Sequence, residues 1–422
     1  MTTKNNIPAG YKDSAVGIIP QEWEATTLGE LVSITSGESP SLFNLRDIGK
    51  YPYIKVEDMN NCEKYQANSR EYTDDERCAI PKGSIIFPKR GAAITNNKVR
   101  IAACQLYMDS NMMAITPNEL VCGDYLYFKI TYEQLFKIAD TSTIPQINNK
   151  HIIPYKICLP PMAEQRKIAE ILGVWDEAIE KQSRLIEKLE LRKRALMQRL
   201  LTGRTRLPGF TAPWQKVKLG EIGKTYNGLT GKSKEDFEEG NAKFIPYINV
   251  FSNEKVNIDK LGVVSVNESE KQNKVQYGDI FFTVSSETPD EVGMASVLLD
   301  EIENTYLNSF CFGYRLNDFE ILNPIFASYI LRGDRFRNYM MVLAQGSTRF
   351  NISKNEVMKL KIELPSLPEQ KAIAEVLTSA DNEIATHRKK LDALRLQKRG
   401  LMQQLLTGKT RVKNLETLKI WH

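Results

Sequence analysis

Cysteine and histidine are the residue types whose spacing most often reveals a metal site or a nucleophile. The cysteines stand alone, without a CxxC spacing or a neighbouring histidine, at Cys62, Cys78, Cys104, Cys122, Cys158 and Cys311. The histidines, His151, His387 and His422, belong to no recognisable nucleophile or metal motif. We therefore expect no metal site and no disulfide framework, and we interpret the cysteines as reduced packing residues.

Two short motifs resemble fragments of catalytic sites, but both are incomplete. Gly231-Lys232-Ser233 has the end of a phosphate-binding loop, yet the position that requires the leading glycine is Tyr226. Asn323-Pro324-Ile325-Phe326 resembles the Asn-Pro-Pro-Tyr/Phe tetrad of adenine methyltransferases, but Ile325 replaces the second proline. No glycine-rich loop for S-adenosylmethionine accompanies it, so we interpret it as the start of a helix. The sequence predicts no catalytic residue and no cofactor.

Length and composition define the scaffold that must position any site. The chain has 422 residues, which exceeds the ~250 to 300 residues at which single cores stop growing, so two or more domains are expected. Hydrophobic residues make up 42% and charged residues 26%, a balance typical of soluble globular proteins. The polar stretch from Met1 to Gly10 is no signal peptide, and no window approaches ~18 apolar residues. We expect a cytoplasmic protein without a membrane partner.

The most informative feature is an internal repeat. Residues 164–206 align with residues 369–411 at a constant offset of 205, and 21 of the 43 positions are identical. The repeat extends upstream: Ser142-Thr143 and Ile147 return as Ser347-Thr348 and Ile352 at the same offset, and Gly83 returns as Gly278 at the smaller offset of 195. The chain is therefore a tandem duplication with conserved helical ends and diverged globular parts.

Each globular part has the pattern of a small mixed α/β domain of roughly 150 residues. Glycine-bounded apolar runs at 83–88 and 278–283 predict buried strands, and a polar loop follows from Ser285 to Gly293. Asp124 to Gln134 and Pro324 to Phe336 have helical spacing.

The conserved segments predict two long helices with a coiled-coil seam. The apolar seam positions of both copies are Ile168, Leu172, Trp175, Ile179, Ile186, Leu189, Ile373, Leu377, Ile384, Leu391 and Leu394. Lys193 and Lys398 occupy equivalent polar seam positions, where they either fix the register or extend their ammonium groups into solvent. We favour an antiparallel pairing, because a parallel one would force the intervening domain to return along the whole rod.

These features together resemble the specificity subunit of type I DNA restriction-modification systems. The resemblance rests on the tandem plan, on Gly17-Ile18-Ile19-Pro20-Gln21-Glu22-Trp23, on Leu159-Pro160-Pro161 with Glu164-Gln165, and on the repeated Leu-Leu-Thr-Gly. It implies an α+β fold in which two α/β target recognition domains are joined by two long helices forming an antiparallel coiled coil with pseudo-twofold symmetry. The implied boundaries are 1–158 for recognition domain 1, 159–206 for helix 1, 207–363 for recognition domain 2, 364–411 for helix 2 and 412–422 for a C-terminal tail.

The resemblance also implies function and partners. Each recognition domain would read one half of a split target in double-stranded DNA, and the helices would set the separation. The helices would also dock two methyltransferase subunits, through which restriction and translocase subunits are recruited. The chain itself would be a non-catalytic subunit.

Charge gives the DNA-binding hypothesis qualified support. The globular parts carry net charges of −2 and −3 and the helical parts +5 each, so local clusters must contact phosphate. Arginine can fork onto guanine, and asparagine or glutamine onto adenine. The candidate DNA-binding residues are Lys89, Arg90, Asn96, Asn97, Lys98, Gln146, Arg335, Arg349, Asn351 and Lys354, with Lys82, Arg100, Arg332 and Arg337 in the same clusters. The alternative is that each is an ordinary solvated side chain.

Two other functions stay open from the residues alone. A standalone adenine methyltransferase or nuclease is disfavoured, because no complete cofactor motif is present. A coiled-coil scaffold that binds only protein would differ from a DNA-binding subunit in having no salt-dependent affinity for DNA.

Overall fold

The computed structural model describes residues 7–77, 79–142 and 144–412. The chain forms two compact units. Unit 1 contains the described residues of Met1–Arg184 and Lys389–His422, and unit 2 is Leu185–Arg388. The boundary lies within the two long helices rather than at their ends, so each unit contains one globular part and a segment of both helices. Most of the proposed C-terminal tail, from 413 onwards, lies outside the described residues.

Unit 1 begins with twelve short strands and five helices of its own. The strands are β1 (Tyr11–Lys12), β2 (Ile19–Pro20), β3 (Glu24–Thr27), β4 (Val32–Ser36), β5 (Tyr51–Ile54), β6 (Tyr65–Gln66), β7 (Tyr72–Thr73), β8 (Ile85–Pro88), β9 (Arg100–Ala102), β10 (Tyr107–Met108), β11 (Met112–Pro117) and β12 (Lys156–Leu159). The helices are α1 (Leu28–Leu31), α2 (Ala92–Thr95), α3 (Gly123–Glu133), α4 (Leu135–Ile138) and α5 (Asn149–Ile152), followed by the long α6 (Met162–Leu200).

Unit 2 repeats this order with small changes. Its strands are β13 (Gln215–Lys218), β14 (Gly223–Asn227), β15 (Ala242–Ile245), β16 (Gly262–Val264), β17 (Ile280–Thr283), β18 (Ser285–Ser286), β19 (Ala295–Val297), β20 (Thr305–Leu307), β21 (Cys311–Leu316), β22 (Phe350–Asn351) and β23 (Lys361–Leu364). Its helices are α7 (Leu219–Ile222), α8 (Tyr247–Ser252), α9 (Pro324–Ile330), α10 (Asp334–Leu343) and α11 (Lys354–Lys359), followed by the long α12 (Leu367–Leu406).

The main sheets of the two units share the order of four strands, and unit 1 adds β6 at one edge. In unit 1 the order is β4-β11-β8-β9-β6, and in unit 2 it is β14-β21-β17-β19. In unit 1, Ile115 of β11 lies opposite Ile34 of β4 and Ile85 of β8. A smaller sheet in each unit contains one parallel pair, β10 with β5 and β15 with β20. Both units are therefore mixed α/β domains built from one duplicated plan.

The central strands form where the sequence predicts buried runs. Every residue of β8 and of β17 is buried, as expected for a strand covered on both faces. Each strand follows a turn at a glycine with positive φ, Gly83 at 89° and Gly278 at 82°. Only glycine adopts this conformation without a steric cost, so the repeated glycine fixes where the strand begins.

The helical prediction for Pro324 to Phe336 is corrected by a break. The chain leaves the helix at Leu331–Gly333, so α9 and α10 are separate, whereas α3 of unit 1 is continuous. Arg332 lies at this break, and its guanidinium donates hydrogen bonds to the carbonyl oxygens of Ala295, Val250 and Asn253 at 2.5, 2.7 and 2.8 Å. These bonds hold the chain out of helical geometry.

The repeated Glu-Gln pair locks each long helix to its globular part. In unit 1 the Gln165 side chain donates to the Pro160 carbonyl at 2.9 Å and accepts from the Cys122 amide at 2.8 Å. Glu164 is buried and accepts two hydrogen bonds of 2.8 Å from the Arg411 guanidinium. It also accepts one of 3.0 Å from the indole of Trp23. This part of the repeat is therefore a structural joint.

Unit 2 has the same joint with one difference. Gln370 donates to the Pro365 carbonyl at 3.0 Å and accepts from the Asn323 amide at 2.9 Å. Glu369 accepts two bonds from Arg206, at 2.6 and 2.7 Å. The two joints thus share the glutamine bonds and the bidentate arginine pair, and the indole bond belongs to unit 1.

The repeated Leu-Leu-Thr-Gly ends each long helix. Gly203 and Gly408 adopt φ values of 69° and 72° directly after the helices. The amide of Thr205 donates to the carbonyl of Arg199 at 3.2 Å, closing the last turn. This is a common way for a glycine to terminate a helix.

The long helices run antiparallel within each unit. In unit 1, Asp176 of α6 pairs with Lys398 of α12, and Glu164, earlier on α6, pairs with Arg411, later in the chain. In unit 2, Lys193 of α6 lies 2.7 Å from Asp381 of α12. The seam lysines therefore do not extend into solvent: each is 15% exposed and pairs with an aspartate on the other helix.

The apolar seam positions are largely covered. Ile168, Leu172, Ile186 and Leu189 on α6 are buried, as are Ile373, Leu377, Ile384 and Leu391 on α12, while Trp175, Ile179 and Leu394 are half-buried. Among the described residues, no helix has the length and apolar character that crossing a membrane requires.

Candidate nucleic-acid interface

In unit 1 two segments with candidate DNA-binding side chains are joined at the end of central strand β8. The chain leaves β8 at Pro88 and continues through Lys89 and Arg90, and Arg90 pairs with Gln146 as an antiparallel bridge. The Ile147 amide donates to the Lys89 carbonyl at 2.9 Å. Gln146 also closes a hairpin turn with Asp140, through amide-to-carbonyl bonds of 2.9 and 3.0 Å. We call the described residues of this turn, 140–142 and 144–146, hairpin 1.

Unit 2 contains the same arrangement at the end of β17. β18 follows β17 and pairs with β22, with Ser285 opposite Asn351. The Ile352 amide donates to the Val284 carbonyl at 3.0 Å. Asn351 closes a turn with Gln345 through bonds of 2.8 and 3.0 Å. We call residues 345–351 hairpin 2; Gln146 and Asn351 hold equivalent positions in the two hairpins.

The structure brings Lys89, Arg90 and Gln146 together and leaves their side chains accessible. Arg90 is exposed, and Lys89 and Gln146 are half-buried. Burial lowers the pKa of the Lys89 ammonium, and the adjacent Arg90 cation lowers it further. A partly desolvated cation beside a second cation is stabilised by an anion such as a phosphate group. This corner of unit 1 can therefore hold a nucleic-acid backbone and offer an amide to a base.

The three remaining candidates of unit 1 lie on the turn after α2. Asn96 is exposed and Lys98 is half-buried. Asn97 has a structural role: its amide nitrogen donates to the Thr131 carbonyl at 2.8 Å, and its side-chain oxygen accepts from the Leu135 amide at 3.0 Å. Both ends of this amide are engaged within the unit. We therefore do not include Asn97 among the side chains that we propose to read bases.

In unit 2, Arg349 and Asn351 lie on hairpin 2 and are exposed. Lys354 follows at the start of α11, where its ammonium donates to the side-chain oxygen of Asn227. Burial lowers the pKa of Lys354. The partly desolvated ammonium of Lys354, like that of Lys89, is therefore stabilised by an anion such as a phosphate group.

Arg335 lies in a different setting. Its guanidinium pairs with Glu363 at 2.6 Å and donates to the Tyr339 hydroxyl at 3.3 Å. It lines an open groove of about 760 Å³ together with Met197, Leu201 and Phe336. We therefore do not include Arg335 among the side chains that we propose to read bases.

Three arginines of the predicted clusters hold backbone carbonyls instead of facing solvent. Arg100 donates to the carbonyls of Cys62 and Met59 at 2.8 and 2.9 Å. Arg337 donates to those of Val292 and Gly293 at 2.6 and 2.8 Å. Together with Arg332 at the helix break, they are structural residues, which corrects the expectation of free basic clusters.

Sequence reasoning missed the partners that complete the unit 2 site. Ser285 and Ser286 form the strand that holds hairpin 2, and the Tyr247 hydroxyl donates to the Ser285 carbonyl at 2.8 Å. The signal in the sequence is the polar run that begins at Ser285, which predicts a loop; the structure corrects its first two residues to strand β18.

The incomplete catalytic motifs have structural roles. The Asn323 side chain accepts from the Phe326 amide at 3.0 Å and caps α9, so the tetrad-like motif begins a helix. The Lys232 side chain is 5% exposed and pairs with Glu270 at 2.6 Å. In the described ranges, no group of three or more His, Cys, Asp or Glu residues is arranged to hold a metal ion.

Comparison with known proteins identifies the family. The model of the type I restriction modification DNA specificity domain matches residues 20–191 and again residues 212–396. The chain therefore belongs to this family and carries two copies of its domain, which confirms the resemblance noted from the sequence.

Similar proteins span the whole chain. The MjaVIII specificity subunit of a type I restriction enzyme from Methanocaldococcus jannaschii is 26% identical over 426 residues, covering 94% of this chain and 95% of that protein. A crystal structure of a type I restriction-modification S subunit from M. genitalium has a TM-score of 0.55 at 18% identity, covering 96% of this chain and 98% of that one.

A chain from a study of complex assembly and conformational transition in the type I system has a TM-score of 0.61 at 18% identity. The superposition covers 93% of this chain and 99% of the other. At this identity the two structures establish a shared fold.

Proposed function

We propose that the chain is the DNA-reading subunit of a type I restriction-modification complex, in which each unit reads one half of a bipartite target. The observation that carries this proposal is the recurrence of one strand-and-hairpin arrangement with different side chains. Arg90 and Gln146 occupy it in unit 1, and Ser285, Arg349 and Asn351 occupy it in unit 2. A conserved backbone that presents different hydrogen-bonding groups suits two readers of two different sequences.

We take 1–158 and 207–363 as the two target recognition domains and 159–206 and 364–411 as the connecting helical regions. In this proposal the helical regions form an antiparallel coiled coil. The buried pairs Asp176–Lys398 and Asp381–Lys193 support it, because a charged pair across a seam specifies register and direction.

The helices would also set the unread gap between the half-sites. They contain 39 and 40 residues, which corresponds to roughly 60 Å at about 1.5 Å per residue. After allowing for the base pairs that the domains themselves cover, roughly five to eight unread pairs are expected. A heptad inserted into both helices, between Ile179 and Ile186 and between Ile384 and Leu391, adds about 10 Å and should lengthen the gap by about three pairs or abolish binding. Full affinity with an unchanged gap would contradict this role.

Duplicated helices present duplicated outer surfaces. Two methyltransferase subunits are therefore expected to bind per chain, and restriction and translocase subunits to join through them. The alternatives are a standalone adenine methyltransferase and a coiled-coil scaffold for protein only. The tetrad-like motif caps a helix, which disfavours the first, and a scaffold alone does not account for the repeated strand-and-hairpin arrangement.

Reconstitution tests this function. The purified chain, its cognate methyltransferase subunit and labelled S-adenosylmethionine are combined with genomic DNA, and each component is omitted in turn. We expect adenine methylation only when both proteins are present, and DNA affinity that falls steeply with salt. Methyl transfer by the chain alone would support the standalone enzyme, and the absence of any DNA affinity in the complex would support the scaffold.

A further inference from the structure

A third segment meets the strand-and-hairpin arrangement in both units. In unit 2 it is the turn Asn308–Cys311 that leads into β21. The Val284 amide donates to the Phe310 carbonyl at 3.0 Å, while the Val284 carbonyl accepts from Ile352 at 3.0 Å. The two backbone groups of a single residue thus join this turn to the end of hairpin 2.

The same turn occurs in unit 1 with the same bonds. The Lys89 amide donates to the Asn111 carbonyl at 2.8 Å, and the Lys89 carbonyl accepts from Ile147 at 2.9 Å. Asn111 therefore occupies in unit 1 the position of Phe310 in unit 2. A turn retained in both copies beside the proposed reading hairpins is placed to contact DNA.

The turn holds its central residue rigidly. The Phe310 amide donates to the side-chain oxygen of Asn308 at 2.8 Å, and the Cys311 amide to the Asn308 carbonyl at 3.1 Å. In unit 1, Asp109 accepts from the Asn111 and Met112 amides at 2.7 and 2.8 Å. Side chains on such a turn are presented in one place, which base recognition requires.

In unit 2 this turn presents an aromatic side chain, Phe310, which is unusual for a polar turn. The Phe310 side chain is 57% exposed, although burying a phenylalanine is worth about 2 to 3 kcal/mol. In the major groove the apolar feature that distinguishes one base from the others is the thymine C5-methyl group, which apolar side chains contact.

We propose that Phe310 is a specificity-determining residue that contacts the C5-methyl group of a thymine in the half-site read by unit 2. Asn111, at the equivalent position, donates its side-chain amide to Asp109 at 2.7 Å and presents its side-chain oxygen as a hydrogen-bond acceptor in unit 1. This inference rests on the proposed function and adds to each unit a reading position that lies outside the hairpins.

Deoxyuridine is the direct probe, because it lacks only the methyl group of thymine. The bipartite target is first mapped by sequencing methylated adenines, and the unit 2 half-site is the half altered by Asn351→Ala. Duplexes carrying deoxyuridine at each thymine of that half are then bound by the complex of the chain with its methyltransferase subunit. Phe310→Ala and Phe310→Leu are compared with the wild-type chain.

We expect one deoxyuridine substitution to weaken wild-type binding about three- to fivefold, the effect of one buried methyl group. The Phe310→Ala complex should bind thymine and deoxyuridine duplexes equally, and Phe310→Leu should retain part of the preference. Phe319→Ala is the matched control, because Phe319 is also exposed in unit 2 but lies beyond the opposite end of β21. This control should keep the full preference.

Three outcomes would overturn the assignment. They are a unit 2 half-site without any A·T pair, wild-type binding that tolerates deoxyuridine at every position, and equal weakening of all duplexes by Phe310→Ala. Each can occur while the wild-type complex still methylates its bipartite target, so the failure of this inference is distinguishable from failure of the proposed function.

Discussion

Removing the charge of Lys398 should destabilise unit 1 strongly. Lys398 and its partner Asp176 are 15% and 24% exposed, and the ammonium lies 5.2 Å from the centre of the Phe128 ring. Lys398 binds the Oδ1 atom of Asp176, and the buried Oδ2 atom has no hydrogen-bond partner in the described part of the chain. Lys398→Met retains an unbranched apolar side chain, but it leaves a mostly buried carboxylate without a counter-charge.

The size of the effect follows from burial. Breaking a fully buried ion pair by removing one partner costs about 3 to 5 kcal/mol. Because both groups keep some contact with water, we expect about 2 to 3 kcal/mol for Lys398→Met. The double variant Asp176→Leu with Lys398→Met should recover most of this loss, since two apolar residues of similar volume then replace the pair.

Urea unfolding measures the free energy, and hydrogen exchange of peptides from 162–184 and 389–406 assigns the change to unit 1. Lys181→Met is the matched control, because Lys181 is 79% exposed and pairs with Glu177 on the same helix. The control should cost less than about 0.5 kcal/mol. If Lys398→Met costs no more than this control, the buried pair is refuted and the lysine reaches solvent after all.

Two further predictions concern buried charges in the units. Lys129→Met should destabilise unit 1 by about 2 to 3 kcal/mol in urea unfolding, because its buried ammonium donates to the Leu406 carbonyl at 3.1 Å and pairs with Glu133 at 2.8 Å, and both of these groups lose a bond; an unchanged midpoint would contradict this. Burial raises the pKa of Asp381, but Lys193 and Tyr329 lower it more, so the net pKa is below 3.8. Its stabilisation is therefore present above about pH 4 and lost as pH falls further, and Asp381→Asn should flatten the decline of unit 2 stability below about pH 4; parallel declines would contradict this.

The repeat made the scaffold predictable from sequence. The terminal Leu-Leu-Thr-Gly is a local signal, because a helix end is formed by residues close in the chain. Glu164-Gln165 is visible in the sequence because it is repeated, although its joint also needs Cys122 and Arg411 from distant parts of the chain. Gly83 and Gly278 likewise indicate where the central strands begin, since the turn before each strand requires a residue with positive φ. Duplication of each signal at a fixed offset removed most of the ambiguity of a single occurrence.

The residues proposed to read bases are less predictable, because the availability of their side chains depends on distant contacts. Nothing near Arg332 in sequence reveals that carbonyls from Val250 and Ala295 occupy its guanidinium. Asn97 is engaged by Thr131 and Leu135, more than 30 residues away. The charge clusters therefore include side chains that the fold already uses, and the sequence alone does not separate these from the accessible ones.

Methylation mapping of two matched variants tests the central claim most directly. Cells lacking other adenine methylation express the methyltransferase subunit with the wild-type chain, with Gln146→Ala or with Asn351→Ala, and the methylated adenines are sequenced genome-wide. We expect a bipartite target with an unread gap, in which Gln146→Ala relaxes or weakens one half and Asn351→Ala the other, each lost bidentate contact costing about 1 to 3 kcal/mol. A single uninterrupted target, or the same half altered by both variants, would contradict the assignment of one half-site to each unit.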